Sequence, residues 1–98
     1  MGRKGFVVVE VDVTDADAYK RYTELSVPAV AAFGGRYVAL GPMEALEGAP
    51  PFPRAAIVEF QSVARAKEFY ASERYSEAKE RRSGAARVRM YVVEEAPS

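Results

Sequence analysis

Over residues 6–13 the chain alternates two sets of side chains: Val7, Val9, Val11 and Val13 fall on one side of an extended strand, and Phe6, Val8, Glu10 and Asp12 on the other. This predicts a strand with one apolar face and one mixed face. The period then lengthens to three and four: Ala18, Tyr22, Leu25, Ala29 and Phe33 make a single apolar stripe on a helix. Thr14 is placed to cap that helix, and Asp15 and Asp17 follow in its first turn, where carboxylates suit the positive end of the dipole. Pro28 interrupts the stripe. It cannot donate to the Glu24 carbonyl and it disfavours a helical Val27, which predicts a kink or break near Ser26. Gly34 and Gly35 predict the helix end through positive φ, and residues 36–40 a second strand that bends at Gly41 and Pro42 and resumes over 43–46.

The same order of signals returns. Residues 54–60 read as a third strand and Ser62 as the cap of a second helix with Val63, Ala66, Phe69 and Tyr70 on its apolar side. Ser72 is a restart point carrying Tyr75 and Ala78 towards Arg82, Ser83 and Gly84 close the helix, and residues 87–94 alternate as a last strand. Glu10 precedes Gly34 by 24 residues and Glu59 precedes Gly84 by 25, the mark of one strand-helix-strand unit used twice. The connector over 48–53, with three prolines, is stiff but too short to separate domains, so residues 1–98 are expected to form one domain. The order βαββαβ with two right-handed crossovers predicts an α+β, ferredoxin-like fold: a four-stranded antiparallel sheet, strand order 4-1-3-2, with both helices on one face.

Size and composition then change what that fold must do. A chain of 98 residues buries only about 60 to 70% of the surface its unfolded form exposes, so a further covered face would add appreciably to its stability. The helix-free face would carry Val8 and Glu10, Ile57 and Glu59, and Arg89, Tyr91 and Val93, large apolar groups mixed with charges. A second copy packed against it would close a barrel, and a homodimer is expected. Fourteen basic residues balance fourteen acidic ones with no basic stripe, which argues against a nucleic-acid partner. The chain has no Cys and no His, so neither a disulfide framework nor the usual transition-metal ligands are available, and no metal or other cofactor is expected. Glu10 and Asp12 interrupt the first apolar run, which fits neither a signal peptide nor a membrane span; a cytoplasmic location is expected.

Several strings resemble a known family: EVDVTDADAYKRY over 10–22, PAVAAFGGRYVA over 28–39, LEG over 46–48 and IVEFQSVARAKEFYASERY over 57–75. Together they are similar to the bacterial family called domain of unknown function 1330, within the dimeric α/β barrel superfamily. The resemblance implies a ferredoxin-like protomer, a two-fold dimer with facing sheets, and a pocket between sheet and helices in each subunit. The chain departs from the family's pattern at Leu40, Gly41 and Pro42, where an arginine and a glycine pair are usual, and at Phe69, where a Trp is common.

Two groups carry the candidate chemistry. Glu10 and Glu59, with Arg89 and Arg36, would form an Arg, Glu, Glu, Arg row across neighbouring strands. Either they stabilise the sheet as cross-strand ion pairs, or the two carboxylates repel and one titrates near neutrality. Tyr19 and Tyr22, with Tyr37, Tyr70 and Tyr75, are the second group; three apart on the first helix, Tyr19 and Tyr22 would place two phenols near one sheet edge, either as aromatic core with polar tips hydrogen-bonded at the rim or as groups that orient a small carbonyl or phenolic ligand. Tyr19, Tyr22 and Tyr91, with the four charged residues, define the expected ligand pocket at the sheet face. The function expected is binding of a small organic molecule. The alternative is a cofactor-independent isomerase, lyase or oxygenase acting on a small carbonyl or aromatic compound. In it Glu59 or Glu10 would be the base and Arg89 or Arg36 would hold an anion. The GGRY stretch lies between helix and strand, the wrong order for a phosphate loop. Arg81 and Arg82 suit the negative end of the second helix as solvated charges; Arg82 also matches a family position, and there the resemblance implies an anion contact as the alternative.

Overall fold

The valine alternation folds as β1 (Gly5–Val13), the centre of a sheet whose two neighbours, β3 (Arg54–Phe60) and β4 (Ala86–Glu94), both run antiparallel to it. The edge beyond β3 is β2 (Arg36–Pro42), so the strand order is β2-β3-β1-β4, as expected for a ferredoxin-like α+β protein. This computed structural model describes residues 2–49 and 51–98; Met1 and Pro50, one of the three connector prolines, lie outside them. Three helices, not two, complete it: α1 (Ala16–Ala32), α2 (Val63–Ala71) and α3 (Glu73–Arg81).

The third helix exists because Ser72 ends one helix and begins another. Its extended backbone (φ −71°, ψ 155°) stops α2, its hydroxyl donates to the Phe69 carbonyl at 2.7 Å, and the same oxygen accepts from the Tyr75 amide at 3.2 Å. On one unbroken helix, residues six apart point about 120° away from each other. The break re-phases the chain so that Phe69 and Tyr75 both enter the core, their rings 4.6 Å apart. Phe60 and Tyr75 are its largest fully buried side chains, joined by Val7, Val58, Ala66, Ala78, Ala29 and Val30.

Three local expectations are corrected. The cap of α1 is Asp15, whose carboxylate accepts from the Ala18 amide at 3.1 Å, not Thr14. Pro28 sits inside α1 without breaking it: Pro28 and Glu24 both lie on the exposed side of the helix, where a carbonyl without its helical donor costs little. Residues 43–46 form no strand, although the Met43 amide still donates to Pro53 at 2.9 Å. At the other end of α1, only Gly34 has positive φ (76°), while Gly35 is required for space, since a Cβ there would stand 2.7 Å from the Phe60 ring.

Candidate functional site

The alternation of β1 sends Val7, Val9 and Val11 to the helix side and Phe6, Val8 and Glu10 to the other, so every candidate residue belongs to one face or the other. On the helix side, α1 packs chiefly on α3 and leaves a cavity of about 370 Å³ between itself and the sheet. Val9, Val11, Val58 and Met90 floor it, and Tyr19, Tyr22, Thr23 and Ser26 line it from α1. β2 contributes both Tyr37 and Leu40, three apart. A strand would send them to opposite faces, but a bulge between Tyr37 and Ala39 inserts Val38 and returns Leu40 to the cavity side. Val27, Tyr37 and Leu40 line the cavity while remaining exposed, which sets its opening between α1 and β2.

Its polar groups are phenols and hydroxyls. Tyr19 and Tyr22 lie with ring centroids 5.1 Å apart, and the Tyr22 and Tyr75 hydroxyls meet at 2.8 Å. The Tyr75 hydroxyl also accepts from Arg82 Nη2 at 3.4 Å and lies 3.6 Å from Met90 Sδ. Burial, then the neighbouring Tyr22 and Tyr37, push the Tyr19 pKa up to about 12, with Arg82 and Arg54 opposing. Burial likewise raises Tyr37, joined by Tyr22 and opposed by the Ser26 hydroxyl beside it, and raises Tyr75 further still. These phenols are therefore neutral hydrogen-bonding groups at ordinary pH. Among the described residues that line the cavity there is no carboxylate, and Arg54 is the one cation.

The other face holds Glu10, Arg36, Glu59, Arg89 and Tyr91, and the expected row of four charges does not form. In register Glu59 pairs with Phe6 on β1 and Arg36 on β2, whereas Glu10 pairs with Ala55 on β3 and Arg89 on β4. The two glutamates are thus four register positions apart, roughly 13 Å along the strands. Each has its own partners. Glu59 accepts from Arg36 Nε at 3.0 Å and faces Lys4 Nζ at 3.3 Å; Glu10 meets Arg89 Nε at 3.4 Å and the Tyr91 hydroxyl at 3.4 Å. The expected mutual repulsion is absent, and the Arg36 hydrogen bond, partly offset by desolvation and aided by Lys4, holds the Glu59 carboxyl below its ordinary range. Phe52, from the connector, is buried against the Arg87 and Arg89 guanidiniums at 4.9 and 4.7 Å, so the loop covers the end of this face near Glu10.

Of the seven residues singled out, Tyr19 and Tyr22 line the cavity and the other five lie on the far side of the sheet. Ser26, Thr23, Arg54 and Leu40 were missed. Ser26 had a signal, since it stands four residues after Tyr22 and is as deeply buried as the core (2% exposed). Leu40 had none, because its orientation depends on the bulge.

The sheet order, the crossovers and the helices on one face define a ferredoxin-like α+β protein. The chain belongs to the family described as Domain of unknown function (DUF1330), which it matches over residues 4–96. No curated protein matches it. Among solved structures it is similar to the RPA0582 protein of unknown function from Rhodopseudomonas palustris, at 23% identity and a TM-score of 0.78, over 100% of this chain and 86% of that one. It is also similar to a dimeric ferredoxin-like protein of unknown function from Jannaschia sp. CCS1, at 13% identity and TM-score 0.64 over 94% and 99% of the two chains. SnoaB, a cofactor-independent oxygenase from Streptomyces nogalater, aligns at 8% identity and TM-score 0.62 over 99% and 97%. At these identities the likeness is one of fold. Among the described residues no helix is long and apolar enough to cross a membrane.

Proposed function

We propose that the protein is a homodimer whose protomers each bind a small, largely apolar organic molecule, aromatic or carbonyl-bearing, in the cavity under α1. The observation that carries this reading is the cavity itself: about 370 Å³, floored by valines and Met90, with phenols and hydroxyls as its polar groups and no carboxylate among its described lining residues. Such a lining favours a ligand with an apolar body and one or two oxygens for Tyr19, Tyr37 or Ser26 to meet. The dimer is favoured by the helix-free face, where Tyr91 and Val93 are half-exposed beside Phe6, Val8 and Ile57, and by the dimeric state of the Jannaschia protein. Glu10 and Glu59 do not reach this cavity, so a proton-abstracting role for either belongs only to chemistry on the other face.

A thermal-shift and NMR titration with 4-hydroxyacetophenone and related neutral aromatic ketones tests the binding. Stabilisation is expected, with amide shifts at Val27, Ser26 and Leu40 and weaker binding in Tyr19→Phe and Tyr37→Phe. A panel that leaves the melting temperature and these amides unmoved overturns it. Sedimentation at micromolar concentration is expected to give twice the chain mass, and Val93→Asp to give a folded single chain; a wild-type monomer refutes the dimer.

A further inference from the structure

A second cavity of about 360 Å³ lies on the same side of the sheet, between α2 and the edge strand β4. Phe69, Val88, Met90 and Val92 line it, with Lys67 and Arg82 as its charged groups. It adjoins the first, since Val7, Phe69 and Met90 are walls of both.

Arg82 is the informative residue. Its neighbour Arg81 is exposed and pairs with Glu77 at 3.8 Å, which suits a solvated charge at the end of α3. Arg82 turns inward instead. Arg3, Arg36, Arg65, Arg81, Arg87 and Arg89 each face a carboxylate, and Arg21, Arg54 and Arg74, with no carboxylate partner among the described residues, are exposed to water. Arg82 has neither compensation: it is partly buried and has no carboxylate partner among the described residues. It lies over the Tyr22 ring at 5.3 Å and donates to the Tyr75 hydroxyl at 3.4 Å, while its Nε is buried with no acceptor. Burial works against its charge, but the two phenols, the Tyr75 hydrogen bond first, outweigh it and hold the guanidinium's pKa above its ordinary value. A guanidinium with an unfilled donor and no counter-ion, beside a cavity with apolar walls and no acidic lining residue, matches a ligand with an anionic head and an apolar body.

We propose that this second cavity binds a small organic monocarboxylate, its carboxylate paired with Arg82 and its apolar body against Phe69, Val88 and Val92. The proposal does not depend on occupancy of the cavity under α1, because it rests on Arg82, Val88 and Val92, which do not line that cavity.

The test is a titration of the full-length 15N-labelled protein with sodium benzoate, compared with neutral benzamide of the same shape and with sodium chloride at equal ionic strength. Benzoate is expected to shift the amides of Ala66, Val88, Met90 and Val92. Benzamide is expected to bind about ten- to hundredfold more weakly, the usual worth of a charge-assisted hydrogen bond. Arg82→Gln should lose that preference for the anion, and Lys67→Gln, at an exposed position, should reduce affinity only slightly. Equal binding of benzoate and benzamide to the wild-type protein overturns the proposal whether or not Arg82→Gln folds. So does unchanged benzoate affinity in a folded Arg82→Gln, or a response to chloride alone. Shifts confined to Val27, Ser26 and Leu40 also overturn it, and leave the reading of the first cavity standing.

Discussion

The Tyr22–Tyr75 hydroxyl pair is buried and asymmetric, and the asymmetry can be measured. Replacing Tyr75 by Phe removes the hydroxyl that meets Tyr22 at 2.8 Å and accepts from Arg82 at 3.4 Å, so two polar groups lose one shared partner. Replacing Tyr22 by Phe leaves the Tyr75 hydroxyl still accepting from Arg82 and still facing Met90 Sδ at 3.6 Å. Leaving buried polar groups unpaired costs about 1–3 kcal/mol, against about 0.5–1.5 kcal/mol for loss of an ordinary hydrogen bond. Tyr75→Phe is therefore expected to destabilise by roughly 2 kcal/mol and to lower Tm by about 8–16 °C in a domain of this size, and Tyr22→Phe by roughly half as much. In the double variant the orphaned Tyr22 hydroxyl is gone, so the combined loss should fall short of the sum. Urea unfolding of all four proteins at one fixed chain concentration measures this, the fixed concentration being needed because assembly shifts apparent stability. Tyr22→Phe as damaging as Tyr75→Phe, or strict additivity, would refute the assignment of Tyr75 as the shared partner.

Tyr19 has a folded pKa of about 12 against an ordinary 10.0, so its contribution to stability is complete below pH 10 and is lost as the pH rises through 12. Stability measured over that alkaline window should fall, and Tyr19→Phe should flatten the fall; absorbance at the tyrosinate band should show Tyr19, Tyr37 and Tyr75 ionising above the ordinary 10.0. Glu59 is shifted the other way: its contribution is present above the ordinary 4.5 and disappears as the pH drops through the lowered folded value. Glu59→Gln should therefore weaken the acid dependence of unfolding below that pH, and an unaltered acid limb refutes the pairing with Arg36 and Lys4. Gly35→Ala would drive a methyl to 2.7 Å from a Phe60 ring that is 1% exposed and cannot swing away, so a loss of about 1–3 kcal/mol in chemical denaturation is expected; wild-type stability would show that the contact relaxes freely.

Strand type and order were legible because each strand carries a two-residue period and each helix a three-to-four-residue one, and because the crossovers admit few topologies. What the pattern could not carry was register and break geometry. Glu10 and Glu59 look equivalent by position within their strands, yet antiparallel pairing runs the two strands past each other and leaves them at separate ion pairs. Pro28 reads as a breaker, and its tolerance depends on which side of α1 faces water. Tyr19 and Tyr22 were correctly placed on one helical face, but a sequence does not say how far a helix stands from its sheet. The cavity is that gap. Arg82 reads as a solvated charge like Arg81 if only the helix end is considered, yet it stands four residues after Ala78 and seven after Tyr75, on the buried stripe of α3, while Arg81 falls outside it.

The bulge at Val38 also bears on how the free margin of β2 meets other chains. A straight outer strand offers a ladder of unpaired amides to any extended segment that drifts by, which is how sheets grow into fibrils. Here the extra residue twists that ladder, and Pro42, lacking an amide hydrogen, ends it four residues on. The device that tilts Leu40 into its hollow thus also makes this rim a poor template for accretion.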